Sequence, residues 1–374
     1  PMKHENKMPL IRLAKRENMS RSLAWAIRLG SILVALLIGS LVILITGNNP
    51  FVAYKTMVVG SLGKVTAIRQ TVKIAIPLLG CALAIAPCFK MRFWNIGAEG
   101  QITAGAIAAT FFALKWTQHC NQLETAPSTS MSVLVLIVMA LAAALAGGIW
   151  GLIPAFFKAK WNTNETLFTL MMNYIIIGIV AWLQGGPWEG RPGSQIIPTF
   201  DKSVWLPKVL GVHCGWIIVL VLVVFLYIYM RYTKHGYEIA VIGDSVNTAR
   251  YAGMNVGRII MRTMLLSGAI SGLVGFIVAS GANNTLYSGV ADGVGFTSIT
   301  VAWLSQLNPF AMIVISLMLA VLSKGAETLQ TQLEVPASIS DIITGLLFCM
   351  LGCEFFINYR LIFRKKHQET EAAK

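Results

Sequence analysis

Polar residues interrupt a long apolar stretch of the sequence at positions 93–101. The run reads Phe93-Trp94-Asn95-Ile96-Gly97-Ala98-Glu99-Gly100-Gln101, and mostly apolar residues follow it. A polar group in hydrocarbon is costly without a partner, so Asn95, Glu99 and Gln101 must face protein or water. Two interpretations stay open. Glu99 and Gln101 line or gate a path for a solute, or they form hydrogen bonds between helices and hold the helices together.

Further polar and aromatic side chains extend this candidate path. Asn164 is placed to cap a helix that begins at Glu165, whose charge suits the positive end of the helix dipole. Asn173 lies deeper in the same segment, where it would contact another helix or line a path. Phe93 and Trp94 are suited to stack on a heterocycle, although Trp near the end of a span is also an ordinary interfacial anchor. The predicted path residues are Phe93, Trp94, Asn95, Glu99, Gln101, Asn173, Thr297 and Thr300.

The more polar segment 231–262 is the second candidate site. Its Gly243-Asp244-Ser245 sequence predicts a break into two short helical pieces, with Ser245 as the N-cap of the second. Small residues recur after the break at near-helical spacing, and they would form a flat face that another protein approaches closely. The alternative is a solvated loop. The residues predicted to take part in docking are Gly236, Tyr237, Glu238, Gly243, Asp244, Ala249, Ala252 and Gly253.

Nucleotide-binding and hydrolytic motifs do not accompany these sites. The sequence contains no Gly-x-x-x-x-Gly-Lys-Ser/Thr phosphate loop, no His-Glu-x-x-His and no Gly-x-Ser-x-Gly. Acidic residues within the apolar segments are few, so a proton or sodium relay is poorly supported. We therefore predict a non-enzymatic transport protein, without a cofactor or a metal site, that takes its energy from a partner.

The six cysteines have no spacing typical of a zinc site. Cys120 and Cys214 fall in loops that we predict on the same side of a membrane, where a disulfide could join them. The other four lie in apolar segments and are expected to act as small packing residues, namely Cys81, Cys88, Cys349 and Cys353.

The elements that position all these residues are predicted to be membrane-spanning helices. Hydrophobic residues make up 56% of the 374 residues and charged residues only 12%, against roughly 25% charged in a soluble domain. The apolar residues come in blocks of about 20, the length of a helix that crosses the hydrocarbon layer. Their continuity excludes the alternating pattern of a membrane β-barrel. We predict an all-α polytopic transmembrane bundle, in contact with membrane lipids, with about ten spans at residues 25–45, 71–89, 94–116, 131–157, 165–183, 215–230, 263–280, 293–307, 309–323 and 338–357.

The distribution of Lys and Arg predicts the orientation. With both termini in the cytoplasm, most basic residues fall on the cytoplasmic side, as a bacterial inner-membrane protein requires. The basic stretch between the first two spans is the exception. Because the basic residues are scattered over loops and tails, the net charge of +14 reflects topology and does not indicate a nucleic-acid partner.

The same assignment predicts how the chain is organised. Residues 1–24 would form a basic cytoplasmic segment, residues 25–358 a membrane domain that contains the loop 231–262, and residues 359–374 a cytoplasmic tail. The first apolar run is longer than the core of a signal peptide and lacks a clear cleavage site, so we expect an uncleaved first span.

Two interrupted spans indicate where a central site would lie. Residues 94–109 and 293–307 both carry Gly and Ala among apolar residues, and a long apolar helix follows each of them. In transporters, corresponding interrupted spans in the two halves of the chain lie at the translocation site.

Three of these segments resemble the permease subunits of ABC importers for nucleosides and simple sugars, within the wider branched-chain amino acid and ribose permease group. They are residues 95–101, residues 164–165 with 169–174, and residues 236–253. The resemblance covers roughly residues 71–359, and its first segment is the most specific. It implies a second permease subunit, often a different chain, two cytoplasmic ATPase subunits and an extracytoplasmic solute-binding protein. It also implies that residues 236–253 couple the permease to the ATPase.

The solute is less well defined than the family. Residues 297–302 read Thr-Ser-Ile-Thr-Val-Ala and carry more hydroxyl groups than the pattern typical of the family at this place. A nucleoside is the favoured solute, with riboflavin or a simple sugar as the alternatives. Two other classes fit less well. An ion-driven secondary transporter would carry several carboxylates deep in its spans, and a membrane enzyme or assembly scaffold finds no catalytic constellation in this sequence.

Overall fold

The computed structural model describes residues 11–15, 21–122, 128–336, 342, 345 and 359–363, and this part of the chain is almost entirely helical. It divides into two compact units, residues 58–324 and residues 1–57 with 325–374. The helices within the described residues are α1 (Arg21–Ile45), α2 (Pro50–Leu62), α3 (Val65–Lys90), α4 (Ala98–Cys120), α5 (Thr129–Trp161), α6 (Glu165–Gln184), α7 (Gly215–Tyr232), α8 (Lys234–Asp244), α9 (Val246–Tyr251), α10 (Val256–Ile277), α11 (Val294–Leu304) and α12 (Pro309–Leu333).

The all-α, polytopic fold is confirmed. Among the described residues, six helices are long and apolar enough to cross a membrane, and the bent pair of α1 and α2, with 109° between its parts, raises that number to seven if it forms one span. Nine of the ten predicted spans coincide with a helix. The tenth, residues 338–357 with Cys349 and Cys353, lies outside the described residues apart from two isolated positions.

Helix α2 is an element that the sequence analysis did not predict. Residues 46–70 were left between the first two predicted spans, yet Pro50 begins a helix there. Proline suits the first position of a helix because its missing N–H would have no partner there anyway. The side chain of Asn49 accepts a hydrogen bond from the Phe51 N–H at 3.0 Å, which satisfies another free amide of the first turn.

Glycine residues allow α4, α5 and α10 to pack with their backbones in contact. A side-chain carbon on Gly272 of α10 would lie against the carbonyl oxygen of Ala143 in α5 and 3.1 Å from the Cα of Gly147. Gly105 of α4 faces the backbone of Gly272 from the other side. Small residues at helix contacts are typical of membrane proteins, in which close van der Waals packing replaces the hydrophobic effect between helices.

Within the described residues, four short strands form two antiparallel pairs. β1 (Ile11–Lys15) pairs with β4 (Tyr359–Phe363), and β2 (Lys208–Val209) pairs with β3 (Val212–His213). Cys120 and Cys214 are free thiols in this structure, so the disulfide that the sequence left open is not formed.

Replacement of Gly272 by alanine should destabilise the protein, whereas replacement of Gly178 should not. The added carbon at Gly272 meets backbone atoms of α5, which cannot move aside cheaply, and overpacking of this kind costs about 1–3 kcal/mol. Gly178 of α6 has open space around it, and alanine there gains helix propensity. Thermal unfolding of the two purified variants in detergent measures the difference. Equal melting temperatures would contradict the role given to the glycine contacts.

Candidate functional site

The connecting segment 91–97, between α3 and α4, is irregular and is held by a buried amide. The Asn95 side chain is fully buried, and its Oδ1 accepts the Gly97 N–H at 3.1 Å. Its Nδ2 donates to Ser267 Oγ on α10 at 3.2 Å, and the Asn95 and Gln101 amides exchange two contacts of 3.3 Å. Asn95 and Gln101, two of the residues predicted to face protein or water, thus face each other, and Asn95 also faces α10.

Helix α6 supplies the remaining partners of the connecting segment. The Thr169 hydroxyl accepts the Ile96 N–H at 3.2 Å, and Asn173 Nδ2 donates to the Ile96 carbonyl at 3.0 Å. Asn173 Oδ1 also accepts the Gly100 N–H at 2.8 Å, which would otherwise lack a partner in the first turn of α4. Side chains therefore satisfy backbone groups that could not find water inside a membrane. Asn164 caps α6 through the Leu167 N–H at 3.2 Å, as predicted.

The Glu99 carboxylate joins α4 to the beginning of α11. One of its oxygens accepts the Gly293 N–H at 2.9 Å and the other accepts the Gly295 N–H at 2.6 Å. A carboxylate at this end of a helix also interacts favourably with the helix dipole. Gly295 must lack a side chain, because a carbon there would collide with the Glu99 backbone.

The two interrupted spans of the sequence analysis meet at this carboxylate. On one side, the irregular segment 91–97 leads into α4. On the other, α10 continues into a π-helical turn, Val278–Asn283, and an irregular stretch follows before the short helix α11. π-Helical turns within α-helices are frequent at functional sites. Glu99 lies where both breaks converge.

An aromatic cluster lies beside this junction. Trp94 and Trp303 of α11 stack with 5.6 Å between ring centroids and 27° between ring planes, and Phe89 packs against both. Trp94 is 45% exposed and Trp303 is 47% exposed, whereas Phe93 is buried. Of the aromatic pair predicted from the sequence, only Trp94 can therefore contact a solute without rearrangement. Thr300 lies one helical turn before Trp303, on the same face of α11.

The predicted path residues thus fall into two groups: Trp94 is exposed, whereas most of the others form bonds within the protein. The side chains of Asn95, Glu99, Gln101 and Asn173 are buried and bonded within the protein, in agreement with the structural interpretation. Thr297 also bonds internally, to the Gly293 carbonyl at 3.1 Å. For these residues a direct role in the path stays a prediction.

Several residues of the site escaped the sequence analysis, among them Ser267, Gly295 and Trp303. Their signals were individually weak, since serine, glycine and tryptophan also occur in membrane helices that have no site.

Helices α8 and α9 form the segment predicted to couple to a partner. Ser245 caps α9 by accepting the Thr248 N–H at 3.2 Å, so the predicted break and cap are confirmed. A side-chain carbon on Gly243 would lie against the Lys90 carbonyl oxygen, at the end of α3. This glycine brings the segment into backbone contact with the helix that precedes the irregular segment 91–97.

The open face of the coupling segment differs from the predicted one. Ala249 is completely buried, so it cannot belong to a flat exposed face of small residues. Gly253 is exposed, but its φ of +73° marks it as the residue that ends α9. The largest exposed side chains of the segment are Tyr251, 93% exposed, and Tyr237, 64% exposed.

A histidine anchors α8 to its neighbours. His235 is buried, with Nδ1 2.5 Å from the Tyr229 hydroxyl and Nε2 3.4 Å from the Thr263 hydroxyl. Burial, together with the nearby charge of Arg262, lowers the pKa of His235, so the neutral form is favoured.

A polar cleft of about 740 Å³ lies beside the coupling segment. Glu165 and Lys158 form an ion pair of 2.8 Å at one wall. The charged residues that line the cleft are Arg92, Lys158, Lys160, Glu165, Asp244 and Arg250. Within the described part of the chain, no three His, Cys, Asp or Glu side chains converge as a metal site would require.

Comparison with known proteins identifies the family. Residues 67–351 match the family described as the permease component of the branched-chain amino acid transport system. The chain belongs to this family. A glucose ABC transporter permease of Haloferax volcanii is 29% identical over 366 residues, which cover 94% of this chain and 93% of the relative. No solved structure matches the chain.

Two nucleoside permeases are similarly related. The guanosine ABC transporter permease NupP of Bacillus subtilis is 27% identical over 88% of this chain and 93% of its own. The nucleoside ABC transporter permease NupB of Lactococcus lactis is 26% identical over 92% of this chain and 95% of its own. The protein is therefore a multi-pass membrane permease of an ABC importer, a class that works with ATPase and solute-binding partners.

Replacement of Glu99 by glutamine should lower stability by about 1.5–3 kcal/mol, the range for loss of a hydrogen bond to a charged group. Glutamine can accept one of the two α11 amides, but its own NH₂ group would face the other donor. Glu165→Gln is the matched control, because its partly exposed ion pair is worth about 1 kcal/mol or less. Thermal unfolding in detergent compares the two. If Glu99→Gln unfolds at the wild-type temperature, the carboxylate does not hold α11 in place.

Proposed function

We propose that the protein is the permease subunit of a nucleoside importer in the bacterial inner membrane. The exposed Trp94–Trp303 stack carries this proposal. Aromatic rings of this kind stack on a heterocycle, and the stack adjoins the two broken spans, where transporters commonly place their solute. Two relatives named for guanosine and nucleosides support the same class. Riboflavin, another heterocycle, would use the same stack.

A simple sugar is the second candidate. The glucose permease of Haloferax volcanii resembles this chain at least as closely as the nucleoside permeases do. Sugars also stack on tryptophan through their C–H faces, and the Thr300 hydroxyl on the same face of α11 suits a polyol. The two candidates differ in how strongly transport depends on an aromatic ring at position 303.

In the proposed topology the chain spans the membrane about ten times and both termini lie in the cytoplasm. The excess of Lys and Arg on that side supports it. The segment of α8 and α9 then faces the cytoplasm, next to the cleft lined by Arg92, Lys160 and Arg250.

A cytoplasmic ATPase would dock on this segment. Gly243 and His235 fasten it to the membrane helices, while Tyr237 and Tyr251 extend outwards from it. Aromatic residues that project from a firmly held base are typical binding hot spots. We expect the chain alone not to hydrolyse ATP, and we expect the second permease subunit to be a different chain.

Removal of the ring at position 303 should distinguish the two solutes. We expect Trp303→Ala to reduce guanosine uptake at least about tenfold and glucose uptake much less, since stacking on a base contributes about 1–3 kcal/mol. Trp303→Phe should restore most of the guanosine uptake. Uptake is measured in cells that contain the whole importer, with the amount of permease determined by immunoblot.

The control for this experiment is Trp182→Ala, because Trp182 is 66% exposed on α6 and lies outside the aromatic cluster. Unchanged guanosine uptake in a well-expressed Trp303→Ala variant would contradict the nucleoside proposal. Selective loss of glucose uptake would favour the sugar permease.

The docking surface is tested by Tyr251→Ala. Truncation of an aromatic hot spot costs about 2 kcal/mol or more, so we expect the variant to retain the ATPase at least about tenfold less strongly. Tyr174→Ala is the matched control, since Tyr174 is 65% exposed but belongs to α6, outside the loop 231–262. Affinity purification of the assembly measures ATPase retention. Equal retention by both variants would show that docking does not use Tyr251.

A further inference from the structure

A further cavity is an apolar groove, separate from the aromatic cluster and from the coupling segment. It measures about 400 Å³ and lies between α3, α7 and α12. Its walls are formed by aliphatic residues such as Ile76, Leu79 and Val219, and among the described residues that line it Arg69 alone is charged. The hydroxyl of Ser316, also in the wall, bonds to the Ile313 carbonyl of its own helix at 3.1 Å. The interior of the groove therefore offers a solute almost no polar contact.

The mouth of the groove is formed by Arg69 and the β2–β3 hairpin. Arg69 Nε donates to the Leu210 carbonyl at 3.0 Å, and the guanidinium packs on Gly211. Leu210 and Gly211 form the two-residue turn, with φ of +58° and +84° as a type I′ hairpin requires. Leucine is unusual in this conformation, and its side chain is 79% exposed. The turn thus fixes a cation and an exposed apolar side chain together at one end of the groove.

Further basic residues surround this end of the groove. Lys64 lies just before α3 and Lys208 lies on β2, and both side chains are exposed. Burial and the positive charge of Lys73 lower the pKa of His213, on β3, to about 4, so Lys73 also lies near the hairpin. Lys64 and Arg69 belong to the basic stretch between the first two predicted spans, which departs from the positive-inside distribution. Topology does not explain them, whereas an anionic ligand would.

We propose that this groove binds an anionic phospholipid, with one acyl chain between α3, α7 and α12 and the phosphate at Arg69. The apolar walls match a hydrocarbon chain, and the basic mouth matches an anionic headgroup. Basic pockets between membrane helices are known to bind anionic headgroups. The proposal does not depend on which solute the permease carries.

The test compares phosphatidylglycerol with phosphatidylcholine. The full chain, co-expressed with its partner subunits, is placed in nanodiscs that contain both lipids, extracted gently, and analysed by native mass spectrometry. We expect selective retention of phosphatidylglycerol. Arg69→Gln should weaken this retention about fivefold, the effect of one cation at a membrane surface. Val72→Trp, which fills the groove with an indole ring, should abolish it.

Lys115→Gln is the matched control, because Lys115 is an exposed cation near the end of α4 and does not line the groove. It should retain phosphatidylglycerol as the wild type does, and size-exclusion chromatography checks that each variant is folded. Equal retention of both lipids, or equal retention by Arg69→Gln and Lys115→Gln, would overturn the proposal.

One other occupant is tested directly, namely residues 338–357 of the same chain. A Val72→Cys variant is oxidised in membranes and searched for a disulfide to Cys349 by mass spectrometry of peptides. Absence of this cross-link, together with selective lipid retention, is the expected result. A cross-link formed in most of the protein would mean that the chain itself fills the groove, and the lipid proposal would be wrong.

Discussion

The contact between the Glu99 carboxylate and the first amides of α11 is the constraint on which the rest of the site depends. Helix α11 has only eleven residues and follows an irregular stretch, so amides at its beginning, such as those of Gly293 and Gly295, lack a preceding helical turn to bond with. Such amides are costly to bury without a partner. Glu99 satisfies two of them at once. The position of α11, and with it that of Trp303, therefore follows from the position of the first turn of α4.

The first turn of α4 is itself fixed by close packing and by buried amides. Gly105 places α4 in backbone contact with α10, so the helix cannot shift without a clash. Asn95 and Asn173 then tie the irregular segment before α4 to α10 and to α6. A polar network inside a membrane helps only when its members are satisfied, and these side chains bond one another and the backbone. The result is a rigid junction of four helices around one carboxylate.

The sequence predicted the elements of this junction better than their contacts. Apolar blocks of helical length correctly predicted a helix at nine of the ten proposed spans, because length and hydropathy are local properties. The Ser245 and Asn164 caps were predicted for the same reason. By contrast, no local pattern reveals that Glu99 reaches Gly293, since those residues are 194 positions apart. Burial of Ala249 was missed because small residues at helical spacing look the same on a buried and on an exposed face.

The coupling segment contacts the chain only a few residues before the aromatic cluster. Gly243 of α8 touches the Lys90 carbonyl without a side chain between them. Lys90 precedes Trp94 by four residues, and Trp94 stacks on Trp303. A displacement of α8 must act on Lys90 through this backbone contact, because no flexible side chain is present to absorb it. Residues 91–94 precede the part of the irregular segment that α6 and α10 hold through Asn95 and Ile96, so they are the place where such a displacement would turn Trp94 relative to α11.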